Sequence, residues 1–392
     1  MKIKMEFPKA LEDIILRLAE HGYSAHAVGG SVRDFLLGDT PKDYDIATDA
    51  EPWEVIRSLS GYRIIETGIK HGTVTVVADG EPYEITTYRI DGEYSDSRHP
   101  KSVSYTRTLA EDLARRDFTM NAMAFGHNSG LVDLYGGEAD IKNRIIRTVG
   151  RAEQRFSEDA LRIMRGLRFS AVLGFEIEEE TAAAMMKCRE LIKNVSAERI
   201  YTELRKLILG ENALKVIKKY REILNSPVPS LPDVSHIVNE REFLSSDFPL
   251  RLAAIYAASP RESLMEALSE LRADKKTGLF CDALLSVKDA SISTKSEIRR
   301  LLFTVGEEIV RALFSLRRIL GESADTGLLD DTLSDGVPYR ISDLEINGND
   351  LISLGLKNAE VGKMLSRLLL AVMDGEIQNE RETLFSFVAK SL

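Results

Sequence analysis

Apolar residues return every three to four positions along 7–21, with Leu11, Ile14, Ile15 and Leu18 on one stripe, and this spacing predicts an amphipathic helix. A short strand pattern at Ala25–Val28 stops at Gly29-Gly30, and Ser31 then opens a helix that runs to Leu37. Strand signals return at 44–46, 73–77 and 83–88, the last two separated by the turn sequence ADGEP. Residues 91–108 are polar and aperiodic and read as a long mobile loop, a length that points to a role of its own. A short helix after Leu109 leads to RRDFTMNAMAF, two strand-like pieces and the turn DLYGGEAD. Beyond Phe156 the pattern is helical: 157–171, with Ser157 as N-cap and Glu158 and Asp159 in the first turn, then 178–189, 196–208 and 211–222. The proline-rich PVPSLPD at 227–233 reads as a hinge, helices resume to about 330, and a final unit starts at ISDLEINGNDLI. The fold class predicted is α+β, a head with a small mixed sheet followed by an all-α remainder.

At 392 residues the chain exceeds one ordinary core, so several domains are expected. Two cysteines exclude a disulfide framework or a cysteine-based metal site. No apolar run is long enough for a bilayer and the N-terminus lacks a signal-peptide pattern, so a cytoplasmic location is expected, with no membrane partner. A net charge of -10 argues against a nucleic-acid partner only as a global sum, because binding depends on local patches. Arginines cluster at Arg107, Arg115 and Arg116, at Arg144, Arg147, Arg151 and Arg155, and at Arg162, Arg165 and Arg168. These runs flank the motifs that carry chemistry, which favours phosphate contact.

The sharpest motif is VGGSVRDFLLGDTPKDYDIAT at 28–48. Asp43 and Asp45 stand two apart in a strand-like DYDI, so both side chains are expected on one face. Two like charges held together call for a cation, and a hard divalent ion such as Mg²⁺ fits oxygen donors. The backbone N–H groups at Gly29 and Gly30 and the helix N-terminus after them suit a triphosphate, with Arg33 on the first turn. Glu84, on a neighbouring strand, is the candidate third carboxylate, to complete the metal cage or to take the proton of an attacking hydroxyl. A Walker A pattern and a Rossmann glycine series are both absent.

GGSVRD…DYD at 29–45, RRDFTMNAMA at 115–124, DLYGG at 133–137, EDALRIMRGLRF at 158–169 and AER at 197–199 occur in this order. With them the sequence resembles bacterial tRNA nucleotidyltransferases of the class II, poly(A) polymerase-like superfamily, the CCA-adding enzymes, in the short form without an HD domain. The resemblance implies a nucleotidyltransferase head at 1–150, a base-recognising helical neck at 151–225, a tRNA-binding helical body at 226–335 and a helical tail at 336–392. It implies template-independent addition of CCA to the tRNA 3′ end from CTP and ATP, with A-only, CC-only and poly(A) addition as alternatives. Asp159 and Arg162 match the pair that reads the incoming base, and the chemistry is sound. A carboxylate accepts from the exocyclic amine and a guanidinium donates to the ring nitrogen, which suits cytosine and adenine and rejects uracil and guanine. Arg165 and Arg168 continue that stripe towards the triphosphate or the tRNA end. Arg116 resembles a nucleotide-binding arginine, Asp117 a carboxylate associated with the sugar hydroxyls, and Asn121 an assistant or a local cap.

The loop 91–108 resembles the family's flexible loop, with His99, Tyr105 and Arg107 as members, and Gly136-Gly137 its springy element. The helical remainder carries no catalytic signature. His236 stands alone and reads as structural, and the body is expected to hold the acceptor and TΨC arms by phosphate and shape. Lys295, Arg299, Arg300, Lys363 and Arg367 are the candidate contacts there.

Overall fold

The computed structural model describes residues 5–91, 103–228 and 230–390. Most of the loop read at 91–108, His99 included, lies outside them. The chain divides into two compact units, Met1–Pro229 and Ser230–Leu392, and the division falls within the proline-rich segment.

The first unit opens with α1 (Lys9–Glu20), β1 (Ala25–Val28), α2 (Gly30–Leu37), β2 (Asp45–Thr48), α3 (Pro52–Ser58), β3 (Arg63–Ile65), β4 (Thr73–Ala78) and β5 (Glu81–Thr87). A ribbon of β6 (Arg89–Asp91) and β7 (Val103–Tyr105) follows, then α4 (Leu109–Ala114), β8 (Met123–Gly126), β9 (Gly130–Asp133) and α5 (Gly137–Asn143). Seven strands form one mixed sheet in the order β3-β4-β5-β2-β1-β8-β9. Only β2 and β5 run parallel in it, and they pair Asp45 with Glu84. On the other side of β2, Asp45 sits opposite Val28, the last residue of β1. The sheet register therefore sets the glycine turn and Asp45 side by side where β1 ends and β2 begins, with Glu84, midway along β5, next to Asp45.

Alternation explains why the sheet forms. In TVTVVA of β4, Val74, Val76 and Ala78 are buried while their neighbours are half-exposed. They meet the stripe of α1, Leu11, Ile14, Ile15 and Leu18, in one core with Ile46 and Ile85. A second cluster, Val28, Ala47, Tyr88, Leu113 and Ala124, ties α4 to the strands.

The neck follows with β10 (Ile145–Ile146), α6 (Ala152–Glu158), α7 (Leu161–Leu173), β11 (Glu176–Ile177), α8 (Glu179–Cys188), α9 (Ala197–Ile208) and α10 (Ala213–Leu224). The single helix expected at 157–171 is two. Asp159 adopts an extended backbone, φ -141° and ψ 103°, and ends α6 before α7 begins. Ser157 does not cap a helix but sits inside α6, donating to the Glu153 carbonyl at 2.8 Å. Helical spacing continues through the break, so periodicity could not reveal it.

The second unit is helical: α11 (Glu240–Ser245), α12 (Phe248–Tyr256), α13 (Arg261–Glu270), α14 (Lys275–Ser286), α15 (Lys295–Ile319), α16 (Thr326–Ser334), α17 (Gly348–Ser353), α18 (Ala359–Met373) and α19 (Arg381–Ala389). Ile298, Leu302, Val310 and Phe314 of α15 pack with Leu329 of α16. A separate core gathers Leu351, Leu365, Leu368, Leu369, Leu384 and Val388 of α17, α18 and α19. Among the described residues, no helix is long and apolar enough to cross a membrane. His236 accepts its structural role, with Nε2 2.8 Å from the Ala254 carbonyl oxygen.

Candidate active site

One cleft of about 540 Å³ is lined by Gly29, Gly30, Arg33, Asp45, Arg116, Asp117, Asp159, Arg162, Arg165 and Arg168, together with Arg89, Arg115, Asn121, Leu161, Phe169 and Arg199. Every candidate site residue from the sequence is in its lining except Asp43 and Glu84. With eight arginines against three carboxylates, the lining is strongly cationic in a chain whose net charge is -10.

At one end, β1 stops at Gly29, whose backbone (φ 71°, ψ -126°) is open to glycine and hostile to other residues. A Cβ there would lie 3.2 Å from Arg116 Nη1, so the missing side chain also makes room for that guanidinium. The turn starts α2, whose free N–H groups suit an anion. Asp45 begins β2, whereas Asp43 precedes the strand, so the two are not strand neighbours on one face as DYDI suggests. The Asp45 carboxyl is pushed above its usual range by loss of solvation, then by Glu84 and, less, by Asp43, while Arg116 opposes the rise. Glu84 and Asp43 thus both disfavour the charge on Asp45.

Among the described residues no three His, Cys, Asp or Glu side chains converge to hold a metal on their own. Mg²⁺ does not need that: it keeps several waters and takes one or two carboxylates plus substrate phosphates. Mutually repelling oxygen donors beside a cationic phosphate cradle fit that ion.

The middle of the cleft is a fixed network. Arg33 donates to Asn121 Oδ1 at 2.9 Å and to Asp34 at 2.6 Å. Asn121 donates to Asp117 Oδ1 at 3.2 Å, and Arg165 Nε to Asp117 Oδ2 at 2.7 Å. Burial pushes the Asp117 carboxyl up, but Arg165, with Arg162 and Asn121, brings it down to about 2. The guanidinium carbons of Arg33, Arg165 and Arg168 lie 5.2, 5.5 and 4.0 Å from the Phe169 ring centre. Arg168 also pairs with buried Glu203 at 2.8 Å.

At the far end, Asp159 and Arg162 do not lie one above the other on a helix, since the chain breaks between them. Asp159 Oδ2 accepts from Arg199 Nη2 at 2.9 Å. Arg162 donates through Nη1 to Glu158 at 3.0 Å and to the Arg155 carbonyl at 3.3 Å, and through Nη2 to the Arg115 carbonyl at 2.8 Å. Each is braced by a different partner, and both face the same cleft.

Arg199 and Phe169 fall inside the motifs AER and EDALRIMRGLRF, but the sequence gives neither a role, and Glu203 lies outside every motif. Arg199 and Glu203 stand four apart in AERIYTELRKLI, one helical turn, a spacing that marks a shared face but no target. Of the arginine runs, the second turns inward, with Arg147 on Asp140 and Glu178 and Arg144 on the Leu173 carbonyl. Arg107 pairs with Glu54 at 3.1 Å, and Asp133 caps the Tyr135–Gly137–Glu138 turn. In the second unit Lys295 and Arg299 pair with Asp335 and Arg300 with Asp374, Arg367 lies over the Phe387 ring, and Lys363 is exposed.

A strand ending in a glycine turn, a carboxylate on the next strand and an arginine-lined cleft closed by a helical neck define a nucleotidyltransferase with a poly(A) polymerase-type head. Residues 25–147 match the poly A polymerase head domain, 174–223 the RNA and SrmB-binding site of polymerase A, and 253–388 the tRNA nucleotidyltransferase domain 2. The chain is 34% identical over 387 residues to the CCA-adding enzyme of Bacillus cytotoxicus, covering 96% of each. It is 36% identical over 413 residues to that of Geobacillus stearothermophilus, covering 98% of this chain and 97% of the relative. The chain belongs to the CCA-adding enzyme family. The solved Bacillus stearothermophilus CCA-adding enzyme in complex with CTP has a TM-score of 0.81 and 32% identity, covering 99% of this chain and 98% of that one. The Thermotoga maritima enzyme complexed with tRNA shares the fold, with a TM-score of 0.69 at 22% identity over 99% and 97% of the two chains.

Proposed function

We propose that this chain adds C, C and A in turn to the 3′ end of tRNA, using CTP and ATP, without a nucleic-acid template. The terminal 3′ hydroxyl oxygen bonds to the α-phosphorus, the bond to the β-phosphate oxygen breaks, and pyrophosphate leaves. Arg33, Arg116, Arg165 and Arg168 hold the phosphates over the Gly29-Gly30 turn, and Asp117 meets the sugar hydroxyls. Asp43 and Asp45 would hold Mg²⁺, which when bound offsets charge on the phosphates and favours the ionised hydroxyl. Glu84 would take the proton of the attacking hydroxyl.

The carrying observation is that Asp159 and Arg162 both line the arginine-rich cleft. After its three bonds to protein, Arg162 keeps Nε–H and one N–H of Nη2 without a protein partner among the described residues. Those donors suit cytosine N3 or adenine N1, and the Asp159 carboxylate suits the neighbouring amine. Uracil and guanine present the reverse pattern and would leave buried groups unpaired. Two free, buried cysteines suit the reducing cytoplasm, where we place the reaction. The second unit would then hold the acceptor and TΨC arms through phosphate contacts and shape.

Asp159→Ala tests the reading. CTP and ATP incorporation should fall, and discrimination against UTP should drop by roughly 1–3 kcal/mol, the value of one bidentate pairing. Unaltered discrimination would remove the assigned role.

A further inference from the structure

Asp112, on α4, is 1% exposed and bonded through both oxygens. Its Oδ1 accepts from Arg115 Nε at 3.0 Å and Nη2 at 2.7 Å, and its Oδ2 from Arg116 Nη2 at 3.0 Å. The two arginines serve different parts of the cleft. Arg116 reaches the glycine turn, beside Gly29 and Asp45. Arg115 offers its backbone carbonyl to Arg162 Nη2 at 2.8 Å. The five residues 112–116 therefore touch both the phosphate cradle and the group assigned to reading the base.

We propose that Asp112 is a positioning residue that ties triphosphate seating to base selection, an inference that rests on the function proposed above. A planar guanidinium held at two points on one carboxylate oxygen has a fixed direction. With Arg115 fixed, its carbonyl is fixed, and so is the angle at which Arg162 presents its remaining donors. Asp112 also separates two adjacent cations that would otherwise repel each other inside the protein. Burial raises its carboxyl, but Arg116 and Arg115 more than reverse this and hold it below the ordinary range, so it stays charged at neutral pH. For stability alone this is a poor arrangement, since apolar replacements of buried ion pairs are often as stable. The geometry it imposes is the gain.

Asp112→Asn keeps the shape and removes the charge. Arg115→Ala breaks the two-point contact but leaves the carbonyl of residue 115 and the Arg116 side chain in place. Each variant would be compared with wild type on tRNA ending at the discriminator base, with kcat and KM measured separately for CTP and UTP and folding checked by circular dichroism. Asp112→Asn should raise the KM for CTP, and in both variants the CTP-to-UTP preference should fall about tenfold, the scale of one misaligned base contact. A merely structural role would lower kcat for both nucleotides and leave that preference unchanged, which would overturn the proposal. If Asp112→Asn does not fold, Arg115→Ala decides alone. A wild-type protein with no preference for CTP would instead remove the proposed function, and this inference with it.

Discussion

Asp45 carries opposing demands. Its carboxyl titrates above the ordinary range because lost solvation and the neighbouring Glu84 and Asp43 disfavour its charge. The folded, cation-free protein therefore holds that proton more tightly than the unfolded chain, and stability contributed by this group is lost as pH rises through the folded pKa. Asp45→Asn is expected to raise the melting temperature of the cation-free protein at neutral pH. The same change should lower nucleotide addition by more than about a hundredfold, beyond the loss typical of an outer partner of a metal site. Added Mg²⁺ should stabilise the wild type more than the variant, and the opposite order in a thermal melt would contradict the assignment. Asp117 behaves in reverse. Held down to about 2, it keeps its pairing with Arg165 until pH falls through that value, so it adds no limb to a neutral pH–rate profile. Type and spacing brought Asp45 and the paired glycines forward in the sequence, the family resemblance brought Asp159 and Arg162, and all of them line the cleft. Their bracing partners were not legible there, because Arg199 lies forty residues from Asp159 and Asp112 forms ordinary i,i+3 and i,i+4 pairs whose burial only the fold creates.

The elements show where periodicity suffices and where it fails. The apolar stripe of α1 and the alternation of β4 bury the positions their spacing requires. The break at Asp159 left no mark, because a carboxylate before an apolar run looks the same inside a first turn as at a helix junction. Its N–H still bonds the Arg155 carbonyl at 3.3 Å, and its Oδ1 accepts from Leu161 N at 3.1 Å, so it closes one helix and braces the next. A second break lies in α15, where Gly306 takes φ 83° and ψ 166° inside a 25-residue helix. Nothing lies within 4 Å of a Cβ built there, so a larger residue meets no clash and suffers only backbone strain. Gly306→Ala is expected to destabilise the protein by roughly 1–3 kcal/mol, the range for such strained backbone, measured by denaturant unfolding. A gain in stability would mean that α15 straightens without loss.

At the scale of the molecule, an acidic chain concentrates eight arginines around one cleft. Net charge hid this, and the spacing of the arginine runs disclosed only part of it, since the run from Arg144 to Arg155 is largely spent on internal partners. Phosphate contacts release counterions, so log affinity for tRNA should fall linearly with log salt, by roughly 0.7–0.9 for each phosphate neutralised. A slope near zero in filter-binding titrations would exclude phosphate-led tRNA binding. The most direct test of the account uses three synthetic tRNAs: one ending at the discriminator base, one after CC, and one with the complete CCA end. Each is incubated with Mg²⁺ and CTP, ATP or both, and products are resolved to a single nucleotide. The account predicts two C additions, then one A, then a stop, with the complete end left unextended. Addition of a single A to the CC-ended RNA alone, or repeated A addition to any of the three, would contradict it.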